Sequence, residues 1–291
     1  MNFKKKIELI KISKNEMQAS WYYNFLAFFH QKYLNITETI KLRIYRFLKR
    51  KENFYENPLI TVFTPTYNRA EILCDRAIKS VLNQTYKNFE YIIVGDGCDD
   101  NTEDMVKKIN DPRIKFYNIE RKILYKKNIE NLWFVGPVRA INFAISKAKG
   151  KWIARIDDDV SWDKYHLEKS LNFCKKNKFE FVTAAVATIR FGKKKAMKYE
   201  TINNKIIGGS NTFFYISYLR FFKFNLFCWM RKFYRVNDVD LFDRMTRAGV
   251  KTGFREEVSL YASPRPNEET MGLDQIILKK EEYKKKYFKK S

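Results

Sequence analysis

The chain has 291 residues, 45% of them apolar and 16% aromatic, and carries a formal net charge of +24. That apolar content builds a core and excludes a disordered chain, and the length holds one large α/β domain with extensions or two small domains. The charge draws polyanions, which leaves nucleic acid, anionic lipid headgroups and phosphorylated small molecules to be separated.

Much of the excess charge lies at the ends, in Lys4-Lys5-Lys6, in Lys49-Arg50-Lys51 and from Lys279 to Lys290, a distribution that suits surface adhesion better than one shaped channel. Cys74, Cys98, Cys174 and Cys228 are scattered, so neither a zinc ribbon nor a disulfide framework is offered and a reducing cytoplasm is expected. His30 and His166 are too few for a histidine-rich metal centre. Glu8, Lys11 and Lys14 interrupt any apolar secretion signal. No run of roughly 18 uncharged apolar residues predicts a spanning helix.

Residues 1–57 read as a basic amphipathic helical extension. Trp21-Tyr22-Tyr23, Phe28-Phe29, Ile36, Ile40, Ile44, Phe47 and Leu48 recur at helical spacing, accompanied by Lys41, Arg43, Arg46, Lys49 and Arg50. Such a helix packs on the main domain or lies in a membrane interface. Asn57-Pro58 marks the start of a domain expected over 58–266, followed by a basic tail over 267–291.

Within that domain the pattern alternates. A buried strand is predicted over 59–64, ended by Pro65, then a helix over 70–82 with Ile72, Leu73, Ala77, Ile78 and Val81 on one face. A strand over 91–94 runs into Gly95-Asp96-Gly97, a helix follows over 102–109, and a third strand over 113–118. A helix over 136–148 is closed by Gly150, and a fourth strand over 151–156 delivers Asp157-Asp158-Asp159. A helix over 163–176 and a strand over 179–187 complete an alternation that implies a largely parallel sheet covered on both faces.

Ligands of such sheets bind outside the carboxyl ends of the strands. Three polar loops fall there: Pro65-Thr66-Tyr67-Asn68-Arg69, Gly95-Asp96-Gly97-Cys98-Asp99-Asp100 and Asp157-Asp158-Asp159. An aspartate run continues a buried strand poorly, since each carboxylate must be desolvated or paired. At a strand's exit it supplies hard oxygen ligands for magnesium or manganese, and through them for phosphates; by itself it also reads as a solvated acidic turn.

The segments Thr64-Pro65-Thr66-Tyr67-Asn68-Arg69, Val94-Gly95-Asp96-Gly97-Cys98-Asp99-Asp100-Asn101-Thr102, Ile156-Asp157-Asp158-Asp159, Gly208-Gly209-Ser210-Asn211-Thr212 and Asn237-Asp238-Val239-Asp240-Leu241, the last followed by Arg244, Ala248 and Gly249, resemble in this order the family 2 glycosyltransferases of the GT-A fold. The resemblance implies a Rossmann-like, mostly parallel central sheet with helices on both faces. It also implies a nucleotide-sugar donor (a UDP-sugar), a divalent cation (manganese or magnesium), a glycan or lipid-linked acceptor, and inversion. Asp157 and Asp159 match the two acids of the DxD motif, Asp159 touching the metal directly and Asp157 nearer the ribose or a metal-bound water. Asp158 between them faces elsewhere if the segment is extended.

By the same resemblance Asp96 accepts the N3–H of uracil, with Gly95 standing where the family often has a first acid. Thr66 and Tyr67 approach the base or ribose. Asp238 matches the general base and Asp240 a neighbouring acid of its motif. Asn142 matches the asparagine of an Arg-Asn pair whose arginine is replaced by Ile141, and Arg139 either substitutes or is a surface charge. Arg265 would reach the pyrophosphate from a C-terminal loop. Trp162 and His166 resemble a segment that follows DxD in one subset, although His166 also reads as helix packing. The aromatic stretch 213–234 reads as core helices or as an acceptor-stacking surface. The basic ends suggest peripheral attachment to the cytoplasmic face of a membrane. A nucleic-acid-binding protein is disfavoured because acids converge where a polyanion would need bases; a catalytically degenerate member of the fold is the other alternative.

Overall fold

The computed structural model describes residues 20–49, 57–190, 193–196, 199–230, 236–266, 268, 275 and 278–287. The basic runs expected at 4–6, 50–51 and 288–290, and the aromatic residues 233–234, lie outside them. Eight helices are described: α1 (Ser20–Lys49), α2 (Ala70–Ile72 and Lys79–Leu82 joined by the π-helical turn Leu73–Ile78), α3 (Thr102–Lys108), α4 (Ile129–Val135), α5 (Val138–Lys147), α6 (His166–Asn177), α7 (Asn237–Ala248) and α8 (Lys280–Tyr287). The strands are β1 (Ile60–Thr66), β2 (Phe89–Asp96), β3 (Ile114–Ile119), β4 (Trp152–Arg155), β5 (Val160–Trp162), β6 (Phe181–Arg190), β7 (Lys193–Ala196), β8 (Glu200–Ile202), β9 (Lys205–Ile207), β10 (Phe214–Ile216) and β11 (Thr252–Ala262).

Continuous apolar runs bury β1 and β2 along their whole lengths, as strands covered on both faces must be. The main sheet has the order β3-β2-β1-β4-β10-β6-β11-β5, with β7 paired to β6. Its first four strands are parallel. β10 runs against both β4 and β6, so β6 again points the same way as β4, and β11 follows it in parallel. The expected mostly parallel sheet is therefore present, and β1, β2, β3 and β4 all end on one side, where the polar loops emerge. Gly150 permits the tight approach of β4 to β1: a Cβ there would sit 2.4 Å from the Thr61 nitrogen.

Several boundaries differ from the sequence reading for identifiable reasons. β1 runs through Pro65 to Thr66 because its pairing with β4 stops at Phe63; beyond that point the missing proline N–H faces no strand on that side. The helix expected over 136–148 is α5, and an unexpected α4 precedes it, Asn128 capping α4 by accepting the Asn131 N–H at 2.7 Å and Pro137 standing at the junction. α6 begins three residues late, the Asp163 carboxylate holding the Tyr165 N–H at 3.0 Å in a turn of its own. The aromatic stretch is core, with Phe213, Phe214, Tyr215, Leu219, Phe222 and Phe224 buried. It takes the form of β10 and 3₁₀ turns rather than α-helices.

α1 packs on the domain through its polar side. Arg46 Nε donates to Glu180 Oε1 at 2.7 Å, and its Nη2 donates to the Gly249 carbonyl at 2.8 Å. Buried Glu38 pairs with Arg244, which also reaches Asp240 at 2.8 Å and donates to the Lys223 carbonyl at 2.6 Å. Tyr45 stacks on Phe221 with ring centroids 5.3 Å apart. Burial works to raise the Glu180 carboxyl, but Arg46, the Lys251 N–H and Tyr218 outweigh it and hold the pKa below the ordinary range. A depressed folded-state pKa means stability that is full above the ordinary carboxylate range and lost as pH falls through the folded value. Glu180→Gln is expected to cost about 1–3 kcal/mol at pH 7, and urea denaturation across a pH series should show the difference from wild type vanishing in acid.

Candidate active site

The loop after β1 begins with two side chains that lock the acidic turn. Thr66 Oγ1 donates to Asp158 Oδ2 at 2.8 Å, and Arg69 Nη1 meets Asp158 Oδ1 at 2.8 Å. Asp158 is thus committed to Thr66 and Arg69 and is buried, and because residues 158–159 form a turn the alternation expected of an extended segment does not apply. Asn68 takes a left-handed conformation and exchanges side-chain and backbone hydrogen bonds with Asp99, joining this loop to the one after β2.

β2 delivers Asp96, whose Oδ2 is bound by Arg121 Nη1 at 2.7 Å while Arg139 stands 3.6 Å from Oδ1. That Oδ1 is buried and accepts no hydrogen bond. Burial pushes the Asp96 carboxyl above its ordinary pKa against the pull of Arg121 and Arg139. Glycine is required before it: a Cβ at Gly95 would lie 2.8 Å from Asn118 Oδ1 and 2.9 Å from Cys98 Sγ, and Asn118 is fixed by bonds to both backbone groups of Cys98. A first acid cannot be accommodated in this packing.

After β4, Asn211 Oδ1 accepts the Asp157 N–H at 2.9 Å, and the Asn211 carbonyl in turn accepts from Trp162 Nε1 at 2.7 Å. Trp162 and His166 therefore act in packing. Their rings stack 4.1 Å apart, and buried His166 is bound to Ser259, its pKa held well below the ordinary value by burial and then by Arg255. The Asp157 carboxylate rests on Arg155 Nε at 3.1 Å, and Asp159 Oδ2 on Arg265 Nε at 2.8 Å. The two acids differ in electrostatics. Burial, with Asp159 and Asp158 nearby, raises Asp157 despite Arg155. At Asp159 burial is overcome by Arg265, Arg69 and Arg76, which keep it below the ordinary range.

These groups share a cleft of about 350 Å³. Of the residues proposed from sequence, Thr66, Tyr67, Asp96, Asp157, Asp159, Asp238 and Arg265 line it. Asp238 enters from the first turn of α7, its Oδ1 accepting the Val239 N–H at 2.8 Å. Asn142 and Asp240 do not line it. Asn142 brackets Phe224, donating to its carbonyl at 2.9 Å and accepting its N–H at 3.0 Å. Asp240 is fully buried against Arg244 four residues on, so its place in the motif serves α7 and α1.

Sequence reasoning assigned no role to Arg121, Arg69, Arg155, Tyr283 or Tyr287. Arg121 lies against the Tyr67 ring, 4.1 Å from its centroid, and 5.6 Å from that of Tyr287. Tyr287 and Tyr283 of α8 cover one end of the cleft, hydrogen bonded to Arg69 at 2.8 Å and Arg265 at 2.9 Å respectively. Arg76 ties the returning chain down through the carbonyls of Asp159, Ser263 and Pro264. The only sequence signal was positional: Arg121 follows a strand's carboxyl end, and the two tyrosines stand at i, i+4 in a charged tail.

Asp157 and Asp159 fit a magnesium or manganese ion by donor type, because two hard carboxylates suffice when phosphates and water complete the shell. Among the described residues no three His, Cys, Asp or Glu side chains gather as a closed metal centre.

A parallel half-sheet, a reversed β10 and an acidic turn after β4 define a glycosyltransferase of the GT-A fold. S. aureus TarS, residues 1–349 in complex with UDP-GlcNAc, shares this fold with a TM-score of 0.55 at 18% identity, covering 74% of this chain and 60% of that one. The model of glycosyl transferase family 2 matches residues 61–237, and the chain belongs to that family. Its relatives include Escherichia coli WfgD, a UDP-Glc:α-D-GlcNAc-diphosphoundecaprenol β-1,3-glucosyltransferase, 32% identical over 52% of this chain and 49% of that protein. Bacillus subtilis TuaG, a putative teichuronic acid biosynthesis glycosyltransferase, is 36% identical over 40% of this chain and 42% of its own length. Escherichia coli K12 WcaA, a putative colanic acid biosynthesis glycosyl transferase, is 42% identical over 36% of this chain and 34% of its own length. The matched stretch is less than half of each of these relatives.

The differing burial of the Arg69–Asp158 and Arg265–Asp159 pairs has a consequence for stability. Arg69→Met strands the buried Asp158 carboxylate and should cost about 3–5 kcal/mol, whereas Arg265→Met leaves the partly exposed Asp159 to water and should cost about 1 kcal/mol or less. Guanidinium denaturation of the two variants checks the order.

Proposed function

We propose that this enzyme moves a sugar from a UDP-sugar to a glycan or lipid-linked acceptor with inversion, Asp238 serving as general base. The observation that carries the reading is convergence: Asp96 from β2, Asp157 and Asp159 from the turn after β4, and Asp238 from α7 line one cleft. WfgD is named for a lipid-diphosphate acceptor and the TarS structure holds UDP-GlcNAc, which supports the same substrate classes for this chain.

Asp96 has a buried oxygen without a hydrogen bond, suited to the uracil N3–H, and Tyr67, whose ring lies against Arg121, lines the same cleft. Asp157 and Asp159 would hold a manganese or magnesium ion, which when bound offsets the charge that grows on the departing diphosphate. Arg265, beside Asp159, gives the same region a permanent cation for the pyrophosphate. In the transfer the acceptor oxygen bonds to the anomeric carbon, the bond to the β-phosphate oxygen breaks, and Asp238 takes the acceptor's proton. Inversion requires that base on the face of the sugar away from the diphosphate. The basic charge of the chain and the proposed lipid-linked acceptor support a site of action at the cytoplasmic surface of an anionic membrane.

The test is transfer from a panel of UDP-sugars in the presence of manganese, with UDP release and linkage followed together. Asp238→Asn should lower kcat by about 10²–10⁴-fold while UDP affinity stays near wild type. Asp159→Asn should abolish the manganese-dependent rise in melting temperature given by UDP. Full transfer by Asp238→Asn would remove that residue from the mechanism.

A further inference from the structure

The helical periodicity of α1 allowed its apolar face to be the one packed on the domain, and the structure shows the reverse. Tyr22, Phe29, Tyr33, Ile36, Ile40 and Phe47 recur every three, four or seven residues on one face and are all exposed, Ile36 by 61% and Phe47 by 77%. The stripe extends about 37 Å along the helix. The opposite face carries Ala27, Glu38 and Leu42, which are buried, and it is this face that bears the contacts to Arg244. Exposed apolar surface on that scale marks a place where something docks.

We propose that α1 is a membrane-docking helix, lying along an anionic bilayer surface with this outward stripe seated among the headgroups. The inference rests on the membrane location proposed above and assigns it a surface. The charge pattern selects the occupant. Glu38, the one acid of α1, is buried beneath Arg244, so among the described side chains the exposed charges beside the stripe are the cations Lys32, Lys41 and Arg43. Their apolar stems can lie along the acyl boundary while the charges reach lipid phosphates. A second copy of the chain would instead bring these cations against their own equivalents. Among the described residues no helix is long and apolar enough to cross a membrane, so α1 lies in the surface plane.

Docking in this way also orients the cleft. Glu38 pairs with Arg244, Arg244 reaches Asp240 at 2.8 Å, and Asp240 shares the first turn of α7 with Asp238. A helix seated on the bilayer is thereby fixed to the helix that carries the proposed base.

Flotation of the full chain with phosphatidylcholine vesicles, with and without phosphatidylglycerol, tests the proposal. Wild type should float with the anionic vesicles, and Phe29→Ser/Ile36→Ser/Ile40→Ser should lose at least about tenfold in partitioning with its melting temperature unchanged. Lys32→Glu/Lys41→Glu/Arg43→Glu should lose the dependence on phosphatidylglycerol. Flotation of the serine variant equal to wild type would overturn the proposal, as would failure of wild type to float. A wild-type dimer in light scattering that the serine substitutions dissociate would overturn it too, giving the stripe to a second copy. Stabilisation of wild type by UDP and manganese without vesicles reads the enzymatic proposal separately, so either can fail while the other stands.

Discussion

Carboxylates gathered in a partly dry cleft cannot be left alone, and pairing them governs this structure. An ion taken from water costs several kcal/mol unless a partner offsets it. Four acids at the carboxyl ends of β2 and β4 have such a partner: Arg121 for Asp96, Arg155 for Asp157, Arg69 for Asp158 and Arg265 for Asp159. The pairs differ in how readily they exchange. The Asp158 side chain is 3% exposed and held by two side chains at and just after the end of β1, Thr66 and Arg69, whereas Asp157 and Asp159 are 30% and 23% exposed. The middle aspartate is therefore a strut of the turn, and the outer two are the ones able to trade an arginine for another cation.

This arrangement reconciles two facts that pull apart in the composition. The chain is strongly basic, yet its cleft is rich in acids. The proposed donor, a sugar diphosphate accompanied by a divalent cation, suits such a surface better than a bare polyanion, with Arg265 and Arg69 beside the acids. Other described cations lie outside the cleft, including those on the exposed flanks of α1.

The parallel strands were legible because their apolar runs are continuous and their ends are marked by polar loops. Strand alternation does not account for the separate pairing of Asp158, since residues 158–159 form a turn and Thr66 and Arg69 fix its carboxylate. What could not be read were pairings made across long stretches of chain. Nothing near Arg121 announces Asp96 as its partner, and nothing in the charged tail announces that Tyr283 and Tyr287 cover the cleft. Asp240 and Asn142 illustrate the converse. Both stand in motifs that the resemblance ties to substrate, yet Asp240 is paired with Arg244 and Asn142 is hydrogen bonded to the Phe224 backbone, away from the cleft. Periodicity revealed the stripe of α1 but not its direction, which depends on Glu38 and Arg46 finding Arg244 and Glu180.

The most direct measurement is a crystal structure of the full chain with UDP and manganese, using the anomalous signal of the metal. The account predicts a manganese peak bound by Asp159 and the diphosphate, with Arg265 released from that carboxylate and the uracil N3 within hydrogen-bonding distance of Asp96. Manganese held by neither Asp157 nor Asp159, or UDP lodged outside the cleft, would contradict it.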